Sequence, residues 1–416
     1  MFREYSKPLC FLKFWSPFFV RASSAWICDF CRFKLQILTT FYGMNMNFRI
    51  PVSRLAAYTL GLLLAAAQAQ AANNEEELPV VLVIATGGTI AGVQEDPDDP
   101  ERYRAGTLSA DQITASVPAL SEHAVIEAEQ FSNIPSPQIM PADWLRLSRL
   151  VTERLQTRDD IAGIVITHGT DRMEETAFFL HLTVDSDKPV ALVGAQHPAT
   201  HRSPDGPANL LAAVRTVASP EALDRGVMLV MDERILSARE VRKDYPRVGG
   251  FARGQIGVVG HDGPEFLYRP SRPHTHRSEF KLTDNTTLAD VDMLITYSGG
   301  MGPRYDTLPA GIVLATTGST CEESLALQVI ARKGVPIVAA FPTGQSVRRL
   351  RPIEESAPEW VREPCARLAD DPRWEGRWIF PLPARLLTPQ KARILLMIAL
   401  SQSNSRDELE EIFQRY

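Results

Sequence analysis

Two short stretches of the 416-residue chain put hydroxyl side chains where a hydroxyl could react. The first is Thr86-Gly87-Gly88-Thr89-Ile90-Ala91-Gly92, directly after the apolar run Pro79–Thr86. It is no dinucleotide fingerprint, because Thr89 stands where the second glycine would be, and no phosphate loop, because no Gly-Lys-Ser/Thr follows. What remains is a threonine on a glycine-flanked turn beyond a buried strand. The second is Thr167-His168-Gly169-Thr170-Asp171-Arg172-Met173-Glu174-Glu175-Thr176, where Thr170 and Asp171 are expected to open a helix. Main-chain N–H groups at such a start could hold a developing oxyanion. Alone, Gly-Gly-Thr is an ordinary turn and Thr-Asp an ordinary cap. On neighbouring strands of one sheet, the two together point to nucleophilic chemistry.

The elements that must position these loops alternate in type. Pro79–Thr86, Ile161–Thr167, Pro189–Gly194 and Gly226–Asp232 are continuous β-branched or apolar runs, the pattern of strands buried on both faces. Between them, Met173, Ala177, Leu180 and Val184 recur on one helical face, and Asp205–Ala218 reads as a further helix. Strands joined by helix-length connections imply βαβ units and a mostly parallel sheet. The rhythm breaks over Tyr268–Thr287, read as a linker. A second α/β unit follows, with strands at Val291–Tyr297, Gly311–Thr317 and Pro336–Phe341 and a helix at Glu322–Lys333. It ends in a helix over Leu387–Ser401, with Thr388 as N-cap and Pro389 in the first position. The expected organisation is therefore an α/β fold in two domains, residues 79–268 and 289–416, joined by a linker at 269–288.

Composition narrows the function. At 44% hydrophobic and 23% charged residues the chain is an ordinary globular protein, not collagen-like, disordered or polytopic. Residues 1–71 hold eight Lys/Arg and two Asp/Glu, which leaves the remainder at a net charge of -12. Such an acidic body is poorly suited to gripping nucleic acid through phosphates. From Met46 the chain reads as a secretory signal: Arg49 and Arg54, the 13-residue apolar run Leu55–Ala67, then Ala69-Gln70-Ala71. The run is too short to span a bilayer, so the expected product starts at Ala72, outside the cytoplasm and free of the membrane. Residues 1–45 precede this signal and read as an extension from an upstream start codon, with Met44 or Met46 the true start. Cys28-Asp29-Phe30-Cys31 has no second pair to complete a metal knuckle, and His274-x-His276 has no further ligands at set spacing, so no metal is expected. Cys321 and Cys365 are left to pair or stay free. Arg348, Arg349 and Arg351 read as a solvated cluster.

The two threonine motifs, in this order, resemble those of the bacterial type II L-asparaginases of the asparaginase/glutaminase family. Further matching stretches are Lys188–Pro207, Gly226–Lys243 and Leu387–Leu395, so the resemblance covers essentially all of the chain from Pro79 onward. It implies a larger N-terminal and a smaller C-terminal α/β domain, a homotetramer with sites shared between neighbouring subunits, and hydrolysis of the asparagine side-chain amide without any cofactor. Carried over residue by residue, Thr89 matches the primary nucleophile and Tyr103 the tyrosine that closes over it. Thr170, Asp171 and Lys243 match the second constellation. Ser136, in Asn133-Ile134-Pro135-Ser136, matches the serine that holds the substrate α-carboxylate.

Threonine is a weak nucleophile until a neighbour takes its proton. A lysine could do so only if its pKa fell from about 10.4 toward 7, at a cost of roughly 4.6 kcal/mol against the ammonium. A nearby aspartate would oppose that fall, so Lys243 and Tyr103 both stand as candidate bases. The chain also departs from the family. Ser298 and Gly299 stand where an asparagine that contacts the substrate ammonium is expected, and Pro137 follows Ser136 in place of a glutamine. The glutamate expected to join that asparagine has no matched counterpart, Glu354 and Glu355 lying in the right region but in an unmatched context. The competing readings are a glutaminase-asparaginase of broad specificity, an amidotransferase acting on misacylated tRNA, and a secreted amino-acid-binding protein without turnover. The signal sequence and acidic surface argue against the second, and the intact Thr89, Thr170, Asp171 and Lys243 against the third.

Overall fold

The computed structural model describes residues 77–96, 99, 102–344 and 379–416. The signal sequence and upstream extension, Cys365, Glu354, Glu355 and the arginines at 348, 349 and 351 lie outside the described residues. Leu78–Tyr416 is one compact unit. In chain order its strands are β1 (Val80–Gly87), β2 (Val93–Gln94), β3 (Tyr103–Arg104), β4 (Val125–Ile134), β5 (Ile161–Thr167), β6 (Val190–Val193), β7 (Val227–Met231), β8 (Arg234–Ser237), β9 (Arg242–Lys243), β10 (Phe251–Ala252), β11 (Gln255–Gly260), β12 (Gly263–Phe266), β13 (Val291–Ile295), β14 (Gly311–Ala315), β15 (Ile337–Ala340) and β16 (Leu382–Pro383). The α-helices are α1 (Ala110–Ala115), α2 (Pro141–Thr157), α3 (Met173–Thr183), α4 (Gly206–Ala218), α5 (Cys321–Arg332), α6 (Pro389–Ala399) and α7 (Arg406–Arg415).

The large sheet runs β12-β11-β8-β7-β6-β5-β1-β4. Its β7-β6-β5-β1-β4 half is parallel, and β8, β11 and β12 close the other edge antiparallel. Val81–Ala85 and Ile164–Ile166 are essentially inaccessible, as unbroken apolar runs in the middle of a covered sheet should be. The sequence reading missed β4, whose residues are mostly half-exposed, because an edge strand lacks that continuous run. The chain lays β4 on one side of β1 and β5 on the other, so its winding reverses at β1. Ligands collect in the crevice beyond the carboxyl ends of strands at such a switch point.

A smaller sheet, β13-β14-β15-β16, is wholly parallel. Helix α6 begins as the sequence predicts, with the Thr388 hydroxyl accepting from the Lys391 N–H and Pro389 in the first turn. It packs on α3 and on β13, β14 and β15, and so joins the two layers.

The stretch between β12 and β13 packs on α3. It holds a single 3-10 turn, Thr275–Arg277, yet His274, Thr275, Ser278 and Phe280 are all buried. His274 and His276 diverge. The His274 ring lies 5.1 Å from that of His181, whereas His276 faces Asp224 at 3.8 Å. Cys321 is disulfide-bonded.

Candidate active site

Three loops meet at the switch point, one from the carboxyl end of each of three adjacent strands. After β1, Gly88 takes φ +82° and caps the 3-10 turn Thr89–Ala91. After β4, Pro135 leads into the turn Ser136–Gln138. After β5, Thr170 and Asp171 form a turn, and α3 starts only at Met173. The expectation that Thr170 and Asp171 open the helix is corrected accordingly. Arg172 is the N-cap and makes no side-chain cap, since a guanidinium has no acceptor to offer, and the Thr170 and Asp171 side chains are engaged by Lys243.

Backbone contact between the loops is close enough to require glycine. A Cβ on Gly88 would stand 2.3 Å from the Gly169 nitrogen, and one on Gly169 would stand 2.8 Å from the Ser136 hydroxyl oxygen. The Thr86 hydroxyl donates to the Thr167 carbonyl at 2.9 Å, and the Ser132 hydroxyl donates to the Thr86 carbonyl at 2.8 Å. These bonds tie the three strand ends together immediately below the loops.

Thr89 is 9% exposed, and its Oγ1 lies 2.8 Å from the Tyr103 hydroxyl. Tyr103 reaches it from a two-residue hairpin in which Gln94 pairs with Tyr103 and Val93 with Arg104. Its ring lies over Gly92, where a Cβ would stand 2.8 Å from Cδ2. The hairpin is anchored at its base, where Gly106 N–H donates to Gly88 and Thr107 and Leu108 N–H groups donate to Ala91. On its other side, Gln94 N–H donates to the Thr200 hydroxyl at 2.8 Å, and Ala199 N–H donates to the Gly92 carbonyl at 2.9 Å.

Lys243 comes from β9, a two-residue strand paired only with β10, outside the large sheet. Its ammonium donates to Thr170 Oγ1 at 2.7 Å and to Asp171 Oδ1 at 2.6 Å. Asp171 is the exposed member of this trio, with Thr170 buried and the Lys243 side chain largely covered, so the carboxylate can meet a ligand while still paired with the lysine. Ser136 is buried, with Arg172 N–H donating to its hydroxyl at 3.3 Å.

Thr89 and Tyr103 therefore form one hydroxyl pair, and Thr170, Asp171 and Lys243 form a second cluster. The touching glycines join the two, and Ser136 lies beside the second loop. Between the two candidate bases, it is Tyr103 that touches Thr89, while Lys243 is bound to Thr170.

Sequence reasoning overlooked His168, which lies between the strand end and the touching glycine. It is fully buried, with Nδ1 2.7 Å from the Gly169 carbonyl, and burial pushes its pKa down to about 4. A neutral imidazole there braces the loop from below. Its signal was available, since a histidine closing an apolar strand is seldom solvated. Among the described residues no group of three or more His, Cys, Asp or Glu side chains is placed to hold a metal.

The sequence profile of a family described as Asparaginase, N-terminal, matches residues 80–267. L-asparaginase 2 of Bacillus subtilis is 33% identical over 355 residues, covering 83% of this chain and 88% of that protein. Glutaminase-asparaginase of Pseudomonas fluorescens biotype A is 35% identical over 355 residues, covering 84% of this chain and 94% of its own. Among solved structures, that of a probable cytoplasmic L-asparaginase from Campylobacter jejuni superposes with a TM-score of 0.69 at 32% identity, over 81% of this chain and 100% of that one.

Proposed function

The chain belongs to the asparaginase family, as a bacterial type II L-asparagine amidohydrolase, and we propose that it cleaves the substrate through an acyl-enzyme on Thr89. The observation that carries this reading is the 2.8 Å contact between the hydroxyls of Thr89 and Tyr103. Thr89 Oγ1 attacks the side-chain amide carbon while Tyr103 takes its proton. The carbon–nitrogen bond then breaks as Tyr103 hands a proton to the nitrogen, and ammonia leaves. Water, aligned by Thr170 with Lys243 and Asp171 behind it, attacks the ester, releases aspartate and returns a proton to Thr89. Ser136 is assigned the α-carboxylate, and the exposed carboxylate of Asp171 the α-ammonium. Thr170 contributes both to this pocket and to the second step.

A second reading, broad activity on asparagine and glutamine, is favoured by the loop at 297–300. Gly299 has open space around its Cα, and the position where a Gly300 side chain would begin is filled by Glu323 Oε1, 1.9 Å from an ideal Cβ. Neither glycine therefore brings a side chain to a neighbouring site. A coupled ammonia assay on residues 72–416, with asparagine and glutamine side by side, tests both readings. No ammonia from either would overturn them, and equal turnover of the two would favour the second.

The organisation proposed with this function keeps residues 79–268 and 289–416 as two domains joined at 269–288. It is a homotetramer, supported by the apolar side chains of Ile295, Tyr297 and Met301, each more than 60% exposed at and beyond the end of β13. The signal-like segment ending at Ala71 supports export to the periplasm or medium. Light scattering of the purified protein tests the first of these, and N-terminal sequencing of protein from the native cell tests the second.

A further inference from the structure

A charge that the chemistry above does not use lies behind the Thr170–Lys243 contact. Lys391, in α6 of the smaller layer, is 1% exposed. Its ammonium donates to the carbonyl of Arg239 at 3.0 Å and to that of Val241, two residues before Lys243. It also stands 3.9 Å from Glu174 Oε2, in the first turn of α3 and four residues after Thr170. That carboxylate oxygen is buried and has no hydrogen-bond donor among the described residues. The Phe178 ring adds an aromatic face 5.9 Å from the nitrogen.

Burying an ion pair is costly, and an apolar pair of similar volume is often at least as stable. Packing alone therefore does not account for Lys391. Its contacts do converge on one thing. One set holds the segment 239–243, which supplies the donor of the Lys243–Thr170 bond, and the other holds the start of α3, which follows the acceptor. The donor segment needs such a tether, because β9 has two residues and pairs only with β10. Electrostatics agree with this picture. Burial lowers the Lys391 pKa to about 8, with Glu174 opposing that fall, and burial raises the Glu174 pKa, opposed first by Lys391.

We propose that Lys391 is a positioning residue for catalysis: its ammonium ties the strand end carrying Lys243 to the helix start behind Thr170 and Asp171, and so holds the lysine on the threonine hydroxyl. This rests on the role assigned above to Thr170 and Lys243. A shift of about 1 Å in such a contact can cost 100-fold in rate.

The test compares Lys391→Met, Lys391→Met/Glu174→Gln and Glu174→Gln with the unaltered protein, and runs Lys243→Met in parallel. The double variant removes both buried charges and keeps their volume, so it is the one expected to fold best. Folding is followed by circular dichroism and thermal melting, and turnover by ammonia release from asparagine. The folded variants are expected to lose kcat at least fivefold, and up to about 100-fold, with KM changed less than threefold, a split that simple loss of packing would not produce. A folded Lys391 variant with kcat lowered less than fivefold, or with only KM raised, would overturn the proposal. Should neither methionine variant fold, Glu174→Gln decides by the same thresholds. Full turnover in Lys243→Met would instead overturn the underlying role of Lys243, which keeps the two failures distinguishable.

Discussion

A side-chain carbon on Gly88 would stand 2.3 Å from the main-chain nitrogen of Gly169, so the two threonine loops touch through bare backbone. This contact couples two motifs 81 residues apart into one site and leaves no room for a methyl group on either side. Gly88 also holds φ +82°, a conformation that L side chains rarely adopt. Gly88→Ala is therefore expected to cost about 1–3 kcal/mol of stability from backbone strain alone. Pushing the loops apart should also lower kcat/KM at least 100-fold. Thermal melting and the ammonia assay measure the two effects, and wild-type values in both would mean that the loops do not touch in solution.

Thr89→Val removes the hydroxyl and keeps the branched shape, so the loss should be of chemistry and not of packing. The expected protein folds and assembles as the wild type does, with turnover close to zero. Residual activity above a tenth of wild type would exclude Thr89 as the nucleophile.

Tyr103→Phe keeps the ring over Gly92 and deletes the one described hydroxyl that touches Thr89. If Tyr103 takes the proton, kcat should fall by about 100- to 10,000-fold, the usual range for a positioned acid–base group. A fall of less than tenfold would pass that role to another group.

The fold was legible where one physical signal dominated. Buried strands β1, β5, β6 and β7 announce themselves as unbroken apolar runs, and α3 by Met173, Ala177, Leu180 and Val184, all inaccessible in the structure. Thr388 and Pro389 marked the start of α6 by cap chemistry alone. Edge strand β4 and the antiparallel strands β11 and β12 were missed, because half-exposed residues blur the two-residue alternation. In the candidate site, residue types alone pointed to Thr89, Thr170 and Asp171, while Tyr103, Ser136 and Lys243 were named only through the family resemblance. They come from a short hairpin, a 3-10 turn and a two-residue strand, none of which carries a periodic pattern. Lys391 gave no signal, since a lysine in the first turn of a helix reads as solvated until tertiary packing covers it.

Acid should unfold the protein earlier than its carboxylates alone would dictate. Burial pushes the pKa of His168 and of His274 down to about 4, and that of His181 well below the usual value. An unfolded imidazole takes its proton near pH 6.5. Between about pH 6.5 and 4 the unfolded chain therefore holds protons that the native sites refuse, and stability falls as pH falls through that window. His168 and His274 should each remove about 2 kcal/mol between pH 7 and 4.5. Urea unfolding at fixed protein concentration is expected to show a combined drop of at least about 4 kcal/mol. A drop below about 1 kcal/mol would mean that these imidazoles titrate normally.

Substrate affinity is where the residues specific to this chain should be felt. Pro137 follows Ser136 and cannot offer the side-chain hydrogen bonds that a glutamine would. The 297–300 loop presents Ser298 and Gly299 where an asparagine was expected to meet the substrate ammonium. Losing one polar partner of a charged group costs about 1–3 kcal/mol, a factor of roughly 5 to 150 in binding. The expected KM for asparagine is therefore nearer about 1 mM than about 10 μM on the usual enzyme scale. Glutamine is longer by one methylene, worth about 1–3 kcal/mol, so its kcat/KM should be lower by roughly 10- to 200-fold. Restoring a contact with Ser298→Asn should lower KM severalfold with kcat little changed, because the interaction serves substrate and transition state alike. Steady-state ammonia release over a wide range of asparagine concentrations measures all three. A low-micromolar KM in the unaltered protein would show that other side chains already supply the missing contacts.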